Sequence, residues 1–419
     1  TARLSGRAGQ REETYTDPLD YLRDRLSRYR VLAQSDLPRF QGGLVGYIGY
    51  DTVRYFEPGP VAHAGPDPDA VLLLVDSLVI YDHVDHRLDL IVHVALDGDR
   101  GRAYEQGIRR LESLVERLGR AQGRPAPRVL SRTNGEVAFD AREIACNVSD
   151  EVFARAVDEM RDAIRDGEVF QVVLSRRWTI ESDVDALELY RAMRATNPSP
   201  YMFLLSLGEM RVVGASPEVL VRVEDGEVLL RPIAGTRPRG GTGEEDEKLA
   251  AELLADEKEL AEHRMLVDLA RNDAGRIASV GSVRVERPLH IERYSHVMHI
   301  VSDVRATTRE GCDAFDVFRA CFPAGTVSGA PKVRAMEFIA EREGERRGVY
   351  AGAVGYFDFG GNMDTCIAIR TMVLYPGRVF IQAGAGIVFD SVGAAEATEC
   401  RNKARGALAA LHLAKEVRT

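Results

Sequence analysis

Residues 384–404 read GAGIVFDSVGAAEATECRNKA, and this stretch combines an alternating glycine pattern with a regular spacing of charges. Gly384 and Gly386 come first, and Glu396, Glu399 and Lys403 follow at steps of three and four residues. Such steps place side chains on one face of an α-helix. Two interpretations are open at this point. The face is either an ordinary solvated surface, or a place where a divalent cation and an anion are held together.

A second segment, residues 256–275, offers a similar pattern in DEKELAEHRMLVDLARNDAG. Glu259 and Glu262 are spaced for one helix face, within a helix that we predict over 244–272. Alone, this pattern is also typical of any amphipathic helix. Two helices that each carry paired carboxylates can, however, supply the oxygen ligands that Mg²⁺ requires, since Mg²⁺ takes one or two carboxylates and leaves its other positions to water and an anionic substrate.

Three glycine-containing segments are predicted to form turns whose backbone N–H groups could hold an anion. They are PIAGTRPRG (232–240), FPAGTVSGAPK (322–332) and QAGAGI (382–387). None has the spacing of a nucleotide-phosphate loop, so a nucleotide is not indicated. Arg370 interrupts the apolar segment CIAIRTMVL, where it is either an edge residue or a clamp for a carboxylate, which guanidinium binds bidentately.

The order of predicted elements favours an α+β fold with largely antiparallel sheets, because strands come in clusters separated by single helices. A helix capped by Ser149 is predicted to run to Gly167. Further helices are predicted at 313–320, 331–342 and 393–415, and strands at 201–207, 210–214, 219–223, 227–232, 350–358, 364–374 and 378–383. We divide the chain into an N-terminal region (1–120), a Gly-, Pro- and Arg-rich linker (121–145) and a catalytic domain (146–415).

Composition excludes several classes of function. The 419 residues are 45% hydrophobic and 29% charged, with a net charge of −10 that argues against a nucleic-acid or membrane-surface binder. No apolar run reaches the ~18 residues of a membrane helix. The five cysteines are scattered and never form a C-x-x-C pair, which favours a reduced, cytoplasmic protein without a zinc ribbon. The chain lacks an initiator Met, so we expect a missing leading segment.

Taken together, seven segments resemble the chorismate-utilising enzymes, and most of all the large subunits of anthranilate synthases. The resemblance is dense over residues 149–412 and loose over 40–55. It implies sheets packed face to face and flanked by helices. The segments that carry it are PIAGTRPRG, DEKELAEHRMLVDLARND, RYSHVMHIVSDV, FPAGTVSGAPKVRAMEFI, GAVGYF, DTCIAIRT and QAGAGIV with EATECRNKARGAL.

The resemblance also implies a role for individual residues. It implies a Mg²⁺ site at Glu262 and Glu399 with Glu396 close by, and catalytic roles for His299, Glu259 and Thr326. It implies chorismate contacts from Gly235, Thr236, Tyr350, Arg370, Gly384, Ala385, Gly386 and Lys403. A pocket for allosteric tryptophan is implied at Pro200, Tyr201 and Met202, although the N-terminal segment that usually completes it is not found.

The choice among the reactions of this family depends on the nucleophile. Gln171 stands where isochorismate-forming relatives have a basic Lys, and Ala234 stands where aminodeoxychorismate synthases have a Lys that attacks the ring. Direct attack by ammonia at C2 remains, with Mg²⁺ as Lewis acid, Glu259 as acid and His299 handling a proton. Pyruvate loss then gives anthranilate, the first committed product of tryptophan biosynthesis. The alternatives are an aminodeoxychorismate or aminodeoxyisochorismate synthase, or a non-catalytic chorismate-binding paralogue.

No Cys–His–Glu glutaminase arrangement is visible in the sequence. We therefore expect ammonia to come from a separate glutamine amidotransferase subunit, anthranilate synthase component II. L-tryptophan is expected as a feedback inhibitor, while nucleic acid and membranes are not expected as partners.

Overall fold

The structure, a computed structural model, describes residues 1–6, 9–32, 37–59, 65, 67–96, 98–121, 144–294 and 297–416. In these residues the helices are α1 (Pro18–Ser27), α2 (Arg100–Ala121), α3 (Asp150–Arg165), α4 (Ala186–Thr196), α5 (Gly243–Ala255), α6 (Glu257–Gly275), α7 (Ala314–Cys321), α8 (Lys332–Glu343) and α9 (Gly393–Glu416), with 3₁₀ turns at Tyr50–Tyr55 and Gly325–Val327.

The strands of the same residues are β1 (Ala2–Gly6), β2 (Gly9–Glu13), β3 (Gly43–Ile48), β4 (Ala70–Val75), β5 (Ser77–Asp82), β6 (Arg87–Val92), β7 (Ile144–Cys146), β8 (Gln171–Glu181), β9 (Tyr201–Leu207), β10 (Met210–Ser216), β11 (Val219–Glu224), β12 (Glu227–Leu230), β13 (Ile233–Pro238), β14 (Arg284–Arg293), β15 (Val297–Thr307), β16 (Gly329–Ala330), β17 (Ala353–Asp358), β18 (Met363–Ile367), β19 (Thr371–Tyr375) and β20 (Arg378–Ile387).

Two large antiparallel sheets form the body. One has nine strands in the order β13-β15-β12-β11-β18-β17-β3-β4, with β14 also paired to β15. The other has seven strands in the order β16-β8-β20-β19-β10-β9, with β7 also paired to β8. Two separate hairpins, β1-β2 and β5-β6, complete the described strands. The α+β class and the antiparallel pairing that the sequence predicts are confirmed.

The two sheets pack face to face. A buried apolar cluster joins Tyr47 of β3 and Val354 of β17, from the nine-stranded sheet, to Leu205 and Val212 of the seven-stranded sheet. Helices cover the outer faces, because α3, α4 and α9 contact the seven-stranded sheet while α5, α6 and α7 contact the nine-stranded one. The apolar residues of both sheets are thereby removed from water, which is the main force that holds such layers together.

The long strands β8 and β20 carry one wall of the site that is described below. They pair over ten residues, from Arg378 opposite Glu181 to Ile387 opposite Val172. Trp178 of β8, the one tryptophan of the chain, is 7% exposed and faces Ile381 in this pairing. The guanidinium carbon of Arg176 lies 5.5 Å from its ring centroid. Such a pair gains both packing and cation–π attraction.

Several sequence predictions need correction in detail. The helix expected over 244–272 is two helices, because Asp256 ends α5 and caps α6 through the backbone N–H groups of Lys258 and Glu259. The strand expected over 364–374 is likewise two strands, which belong to different sheets. The expected glycine turns at 232–240 and 382–387 lie largely in β13 and β20. Strand β14 and strand β15 were not anticipated.

The N-terminal residues contribute directly to the nine-stranded sheet. β3 pairs with β17, from Gly43 opposite Asp358 to Ile48 opposite Ala353, and β4 pairs with β3. Residues 43–48 and 70–75 therefore share one sheet with residues 353–358 and 363–367. Most of the proposed linker, residues 122–143, lies outside the described part of the chain, and the domain boundaries stay a prediction.

Candidate functional site

A cavity of about 550 Å³ opens between the ends of the two sheets and the helices α6 and α9. Each of the two sheets contributes strands to its walls, and each of the two helices contributes carboxylates. The cavity gathers nearly all of the residues that the resemblance implied for catalysis, substrate and metal: Gly235, Thr236, Glu259, Glu262, His299, Thr326, Tyr350, Arg370, Gly384, Gly386, Glu396, Glu399 and Lys403.

One side of the cavity is acidic. Burial, together with the neighbouring Glu259 and Glu399, raises the pKa of Glu262 above its ordinary value. Burial also raises the pKa of Glu396, although a hydrogen bond from Ser391 opposes the shift. Oε2 of Glu396 is buried without a hydrogen-bond partner among the described residues. Carboxylates that repel one another and leave a buried oxygen unsatisfied fit a site that a cation completes.

The donor set also indicates which cation fits. In the described residues no group of three or more His, Cys, Asp and Glu side chains is arranged to hold a metal ion by itself. Mg²⁺ does not need such a set, because it is usually held by one or two carboxylates and by an anionic substrate. The oxygen-only donors of α6 and α9 therefore fit Mg²⁺ better than a zinc-type site, which takes His and Cys ligands.

Two cationic side chains, Lys403 and Arg370, also line the cavity. Lys403 of α9 donates a hydrogen bond to the carbonyl of Gly384, at 2.9 Å, and pairs with Glu399 at 2.7 Å. Arg370 lies at the point where the chain crosses from β18 in one sheet to β19 in the other, with a φ of 50°. Burial lowers its pKa, against the attraction of Glu218. A guanidinium that is largely removed from water but lines a cavity is suited to bind a carboxylate there.

His299 of β15 is held by the neighbouring strand β13. Its Nδ1 lies 2.9 Å from the carbonyl oxygen of Gly235 and 3.1 Å from the hydroxyl of Thr236. The carbonyl can only accept, so we assign the proton to Nδ1. Burial lowers the pKa of His299, and Arg370 lowers it further. The imidazole is therefore neutral near neutral pH, with Nε2 free of a proton and able to accept one.

Glu218 is a residue of this site that sequence reasoning missed. It lies directly before β11 and lines the cavity, where Thr326 donates a hydrogen bond to its Oε1 at 3.0 Å. Burial raises the pKa of Glu218 to about 7, although Thr326, Arg370 and Lys403 pull it down. A carboxyl with such a pKa can hold and release a proton near neutral pH. Its only sequence signal is a single acid directly before a run of apolar residues.

The residues used to choose between reactions also line the cavity. Gln171 is 5% exposed, and its Oε1 is buried without a hydrogen-bond partner in the described part of the chain. Ala234 is 8% exposed and presents only a methyl group. Lys258 and Gln382 are further lining residues that the sequence analysis did not name. Ala385 points to the other face of β20, where it is fully buried, because side chains alternate along a strand.

The residues assigned to allosteric tryptophan lie elsewhere. Pro200 and Tyr201 line a separate cavity of about 480 Å³. The Tyr201 hydroxyl donates to Asp364 at 2.8 Å and accepts from Arg222 at 3.1 Å. Met202 follows in β9, half-buried against the apolar core. This cavity shares Pro217 and Ile233 with the first one, so the two lie on either side of those residues.

None of the helices in the described part of the chain combines the length and the apolar character needed to cross a bilayer.

Comparisons with known proteins agree with this geometry. The chain matches the chorismate binding enzyme family over residues 2–409. It is 45% identical over 417 residues to the anthranilate synthase component 1 of Acetivibrio thermocellus, an alignment that covers 98% of this chain and 83% of that one. It is 49% identical over 406 residues to the component 1 of Pseudomonas aeruginosa, with coverage of 96% and 81%.

Solved structures give the same result. The crystal structure of anthranilate synthase component I from Streptococcus pneumoniae matches with a TM-score of 0.80 and 40% identity, over 93% of this chain and 85% of that one. The menaquinone-specific isochorismate synthase of Escherichia coli matches with a TM-score of 0.74 at 22% identity, over 95% and 83%, which indicates a shared fold. The chain therefore belongs to the chorismate binding enzyme family, among the component 1 proteins of anthranilate synthase.

Proposed function

We propose that this chain converts chorismate and ammonia to anthranilate and pyruvate in a Mg²⁺-dependent reaction, the first committed step of tryptophan biosynthesis. The observation that carries the proposal is that one cavity holds a group of carboxylates together with two cationic side chains. Glu262, Glu396 and Glu399 supply the carboxylates and Lys403 is paired with Glu399, while Arg370 supplies a guanidinium. Chorismate carries two carboxylates, and such a cavity offers one of them a cation with its ligands and the other a buried guanidinium.

Glu262 and Glu399 would hold Mg²⁺, with Glu396 beside them. When bound, Mg²⁺ supplies Lewis-acid stabilisation of the negative charge that develops on oxygen. The chain itself orients the substrate. Arg370 is positioned by the crossing between the two sheets, and Lys403 is fixed by its bonds to Gly384 and Glu399. Orientation of this kind lowers the entropic part of the barrier.

Two residues that line the cavity, Ala234 and Gln171, indicate which nucleophile attacks the ring. Ala234 has no group that could attack the ring covalently. Oε1 of Gln171 is a buried acceptor that needs a donor, and ammonia has three N–H bonds to offer. A neutral amide cannot remove a proton from water to form a hydroxide nucleophile. Attack by ammonia at C2 therefore agrees with the residues, and the new amino group lies ortho to the ring carboxylate.

Proton transfers are assigned to three side chains. Glu218 carries a proton at neutral pH in a sizeable fraction of molecules, and can deliver it to the departing C4 hydroxyl. Glu259, which accepts a hydrogen bond from Arg237 at 3.3 Å, is the second candidate for this acid. Nε2 of the neutral His299 is available to accept the proton that is lost when pyruvate leaves and the ring becomes aromatic.

The test is the identity of the product. The purified chain is incubated with chorismate, Mg²⁺ and an ammonium salt, and the product is identified by mass and by chromatography against standards. We expect anthranilate and pyruvate in equal amounts. A product aminated at C4, para to the ring carboxylate, would favour an aminodeoxychorismate synthase, and a product aminated at C2 that retains the enolpyruvyl group would favour an aminodeoxyisochorismate synthase. Isochorismate, or no turnover with retained chorismate binding, would overturn the proposal.

The remaining parts of the proposal concern partners and location. We propose that a separate glutamine amidotransferase subunit supplies ammonia, so glutamine alone should give almost no anthranilate until that subunit is added. We assign L-tryptophan as a feedback inhibitor to the cavity of Pro200 and Tyr201. All five cysteines are free thiols, which supports a reducing cytoplasm as the working compartment.

A further inference from the structure

A buried ion pair lies directly behind the wall of the cavity. Arg347 and Glu343 have side chains that are 1% and 6% exposed, and their closest charged atoms are 2.6 Å apart. Glu343 is the last residue of α8, and Gly344 caps the helix in a left-handed conformation with a φ of 66°. The chain reverses there and returns Arg347 onto the carboxylate that lies one turn earlier.

The guanidinium is bonded on three sides. Besides its two bonds to Glu343, at 2.6 and 2.8 Å, Arg347 donates to the carbonyls of Val327 and Val173, each at 2.7 Å. Val173 and Val327 both line the cavity. Val327 follows Thr326, whose hydroxyl holds Glu218. Arg347 therefore holds the residue next to Thr326, and the hydroxyl of Thr326 binds the carboxyl of Glu218, the proposed proton donor.

The Arg347–Glu343 pair also contacts two further residues of the cavity wall, Tyr350 directly and Gln382 through Ser175. The guanidinium carbon lies 5.6 Å from the ring centroid of Tyr350, which lines the cavity. Glu343 accepts hydrogen bonds from the backbone N–H and the hydroxyl of Ser175, each at 2.8 Å. That hydroxyl accepts a hydrogen bond from the side chain of Gln382, also at 2.8 Å, and Gln382 lines the cavity as well.

Stability alone is a weak reason to bury such a pair. The transfer of two charges out of water is expensive, and replacement of a buried pair by apolar residues of similar size is often neutral or stabilising. The planar guanidinium does, however, fix several acceptors at defined distances and angles, which no apolar group can do. Here those acceptors belong to β8, to the 3₁₀ turn Gly325–Val327 and to the end of α8.

We propose that Arg347 and Glu343 form a positioning pair, which holds Thr326, Tyr350 and Gln382 in the arrangement that turnover requires. The inference rests on the proposed function, because the reaction used to read it out is the formation of anthranilate. Neither residue touches the cavity, so both act through the residues that they hold.

The experiment is a double-mutant cycle with Arg347→Lys, Thr326→Val and the double variant. Lys keeps the charge but lacks the planar guanidinium. It therefore cannot donate hydrogen bonds to the carbonyls of Val173 and Val327 and to the carboxylate of Glu343 all at once. We expect kcat/KM of Arg347→Lys to fall by up to about 100-fold, mainly through kcat and in part through weaker binding of chorismate. In the Thr326→Val background the same substitution should cost a clearly smaller factor, because the part of its effect that passes through Thr326 is already lost and only the part through Tyr350 and Gln382 remains.

Controls separate positioning from folding. Arg177→Lys alters a nearby ion pair, with Glu345, that bonds to no residue lining the cavity, so its kcat/KM should stay close to that of the unmodified chain. Circular dichroism and thermal unfolding confirm that each variant is folded. If Arg347→Lys does not fold, Glu343→Gln takes its place, because it keeps one acceptor oxygen for Ser175 and removes the charge.

Two outcomes would overturn the inference: a folded Arg347→Lys variant with unchanged kcat/KM, or an equal loss in both backgrounds of the cycle. Failure of the proposed function looks different, because the unmodified chain would then form no anthranilate. Stabilisation against heat by chorismate provides a readout in that case. Chorismate should raise the melting temperature of the unmodified chain more than that of Arg347→Lys.

Discussion

Glu218 is the ionisable group that should decide how the rate depends on pH. Because the pKa of its carboxyl is raised to about 7, mainly by burial, the protonated acid is lost as pH rises through that value. If Glu218 delivers a proton to the leaving hydroxyl, kcat should fall above about pH 7. Free ammonia becomes more abundant over the same range, so kcat must be measured at a constant, saturating concentration of free NH₃.

Glu218→Gln tests this assignment. The amide keeps the size of the side chain but cannot deliver a proton, so we expect kcat to fall by about 100-fold and the decline above pH 7 to disappear. Glu209→Gln, in an exposed turn away from the cavity, should behave like the unmodified chain. A Glu218→Gln variant that keeps both the rate and the decline would assign the acid to Glu259 instead.

The carboxylates of the cavity give a second prediction, in which one substitution raises the melting temperature and lowers turnover. Burial and the neighbouring carboxylates disfavour the ionised form of Glu262. Glu262→Gln should therefore raise the melting temperature in the absence of metal, yet reduce turnover by more than about 100-fold. Glu399→Gln should also abolish turnover, because it removes a hard oxygen ligand.

The measurement for this second prediction is thermal unfolding with and without Mg²⁺, alongside activity over a range of Mg²⁺ concentrations. Mg²⁺ together with chorismate should stabilise the unmodified chain and fail to stabilise either variant. Glu257→Gln, an exposed residue in the first turn of α6, serves as the control. Full activity of either variant at low Mg²⁺ would remove the metal assignment.

Sequence spacing could identify some site residues and not others, for a physical reason. Glu259 and Glu262 share one helix turn, as do Glu399 and Lys403, so a local pattern brings each pair together. Glu218 has no such partner nearby in sequence. Its neighbours Thr326, Arg370 and Lys403 come from distant elements, so its shifted pKa exists only in the folded chain.

Strand β20 shows how a pair of glycines shapes the cavity wall. A methyl group at Gly386 would lie 2.6 Å from the side-chain nitrogen of Gln171, a flexible group that can move. A methyl group at Gly384 would lie 2.7 Å from the carbonyl oxygen of Leu174 and 2.8 Å from the hydroxyl of Tyr350. The first substitution displaces a side chain, whereas the second forces β8 and β20 apart.

We therefore predict that Gly386→Ala keeps its stability but loses activity by about 10-fold, because Gln171 no longer faces the substrate. Gly384→Ala should lose both stability and activity, with a lower melting temperature. Apart from the neighbouring backbone of α9, no heavy atom of the described residues lies within 4 Å of a methyl group added at Gly406, so Gly406→Ala should stabilise the chain by about 1 kcal/mol without loss of activity. Equal effects at Gly384 and Gly386 would contradict this account.

The elements that the sequence predicted least well are those whose form depends on distant neighbours. The apolar segment 364–374 looks like one strand, but it divides at Arg370 because its two halves pair with different sheets. The glycines of QAGAGI suggested a turn, yet their backbone completes the ladder of β20 with β8. The apolar periods of α3 and α9 are local properties, and these helices were predicted with nearly correct bounds.

The first 75 residues should be essential for the stability of the whole molecule. β3 covers the edge of β17, and Tyr47, which is 1% exposed, fills the apolar cluster between the two sheets. Asp51 accepts a hydrogen bond from the backbone of Gly348 at 2.8 Å, beside the Arg347–Glu343 pair. A fragment that begins at residue 146 would expose the edge of β17 and an apolar face.

We predict that residues 146–419 alone are insoluble and inactive, whereas co-expression with residues 1–120 restores a soluble, active complex. The measurement is the soluble yield after centrifugation, followed by the anthranilate assay. Co-expression with a 1–120 fragment that carries Tyr47→Asp serves as the control, since a buried charge should prevent association. A soluble and active 146–419 fragment would show that the catalytic part folds by itself.

The position of the single tryptophan gives the chain a built-in optical probe. Trp178 lies in β8 opposite Ile381 of β20, and the guanidinium of Arg176 lies over its ring. Excitation at long ultraviolet wavelengths therefore yields emission from one known position, without a label and without a substitution. The wavelength of that emission reports how far Trp178, which is 7% exposed in the folded chain, is in contact with water, and it should shift when β8 and β20 separate. Titration with substrate, or with denaturant, can thus be followed at the strand pair that carries Gly384, separately from the rest of the molecule.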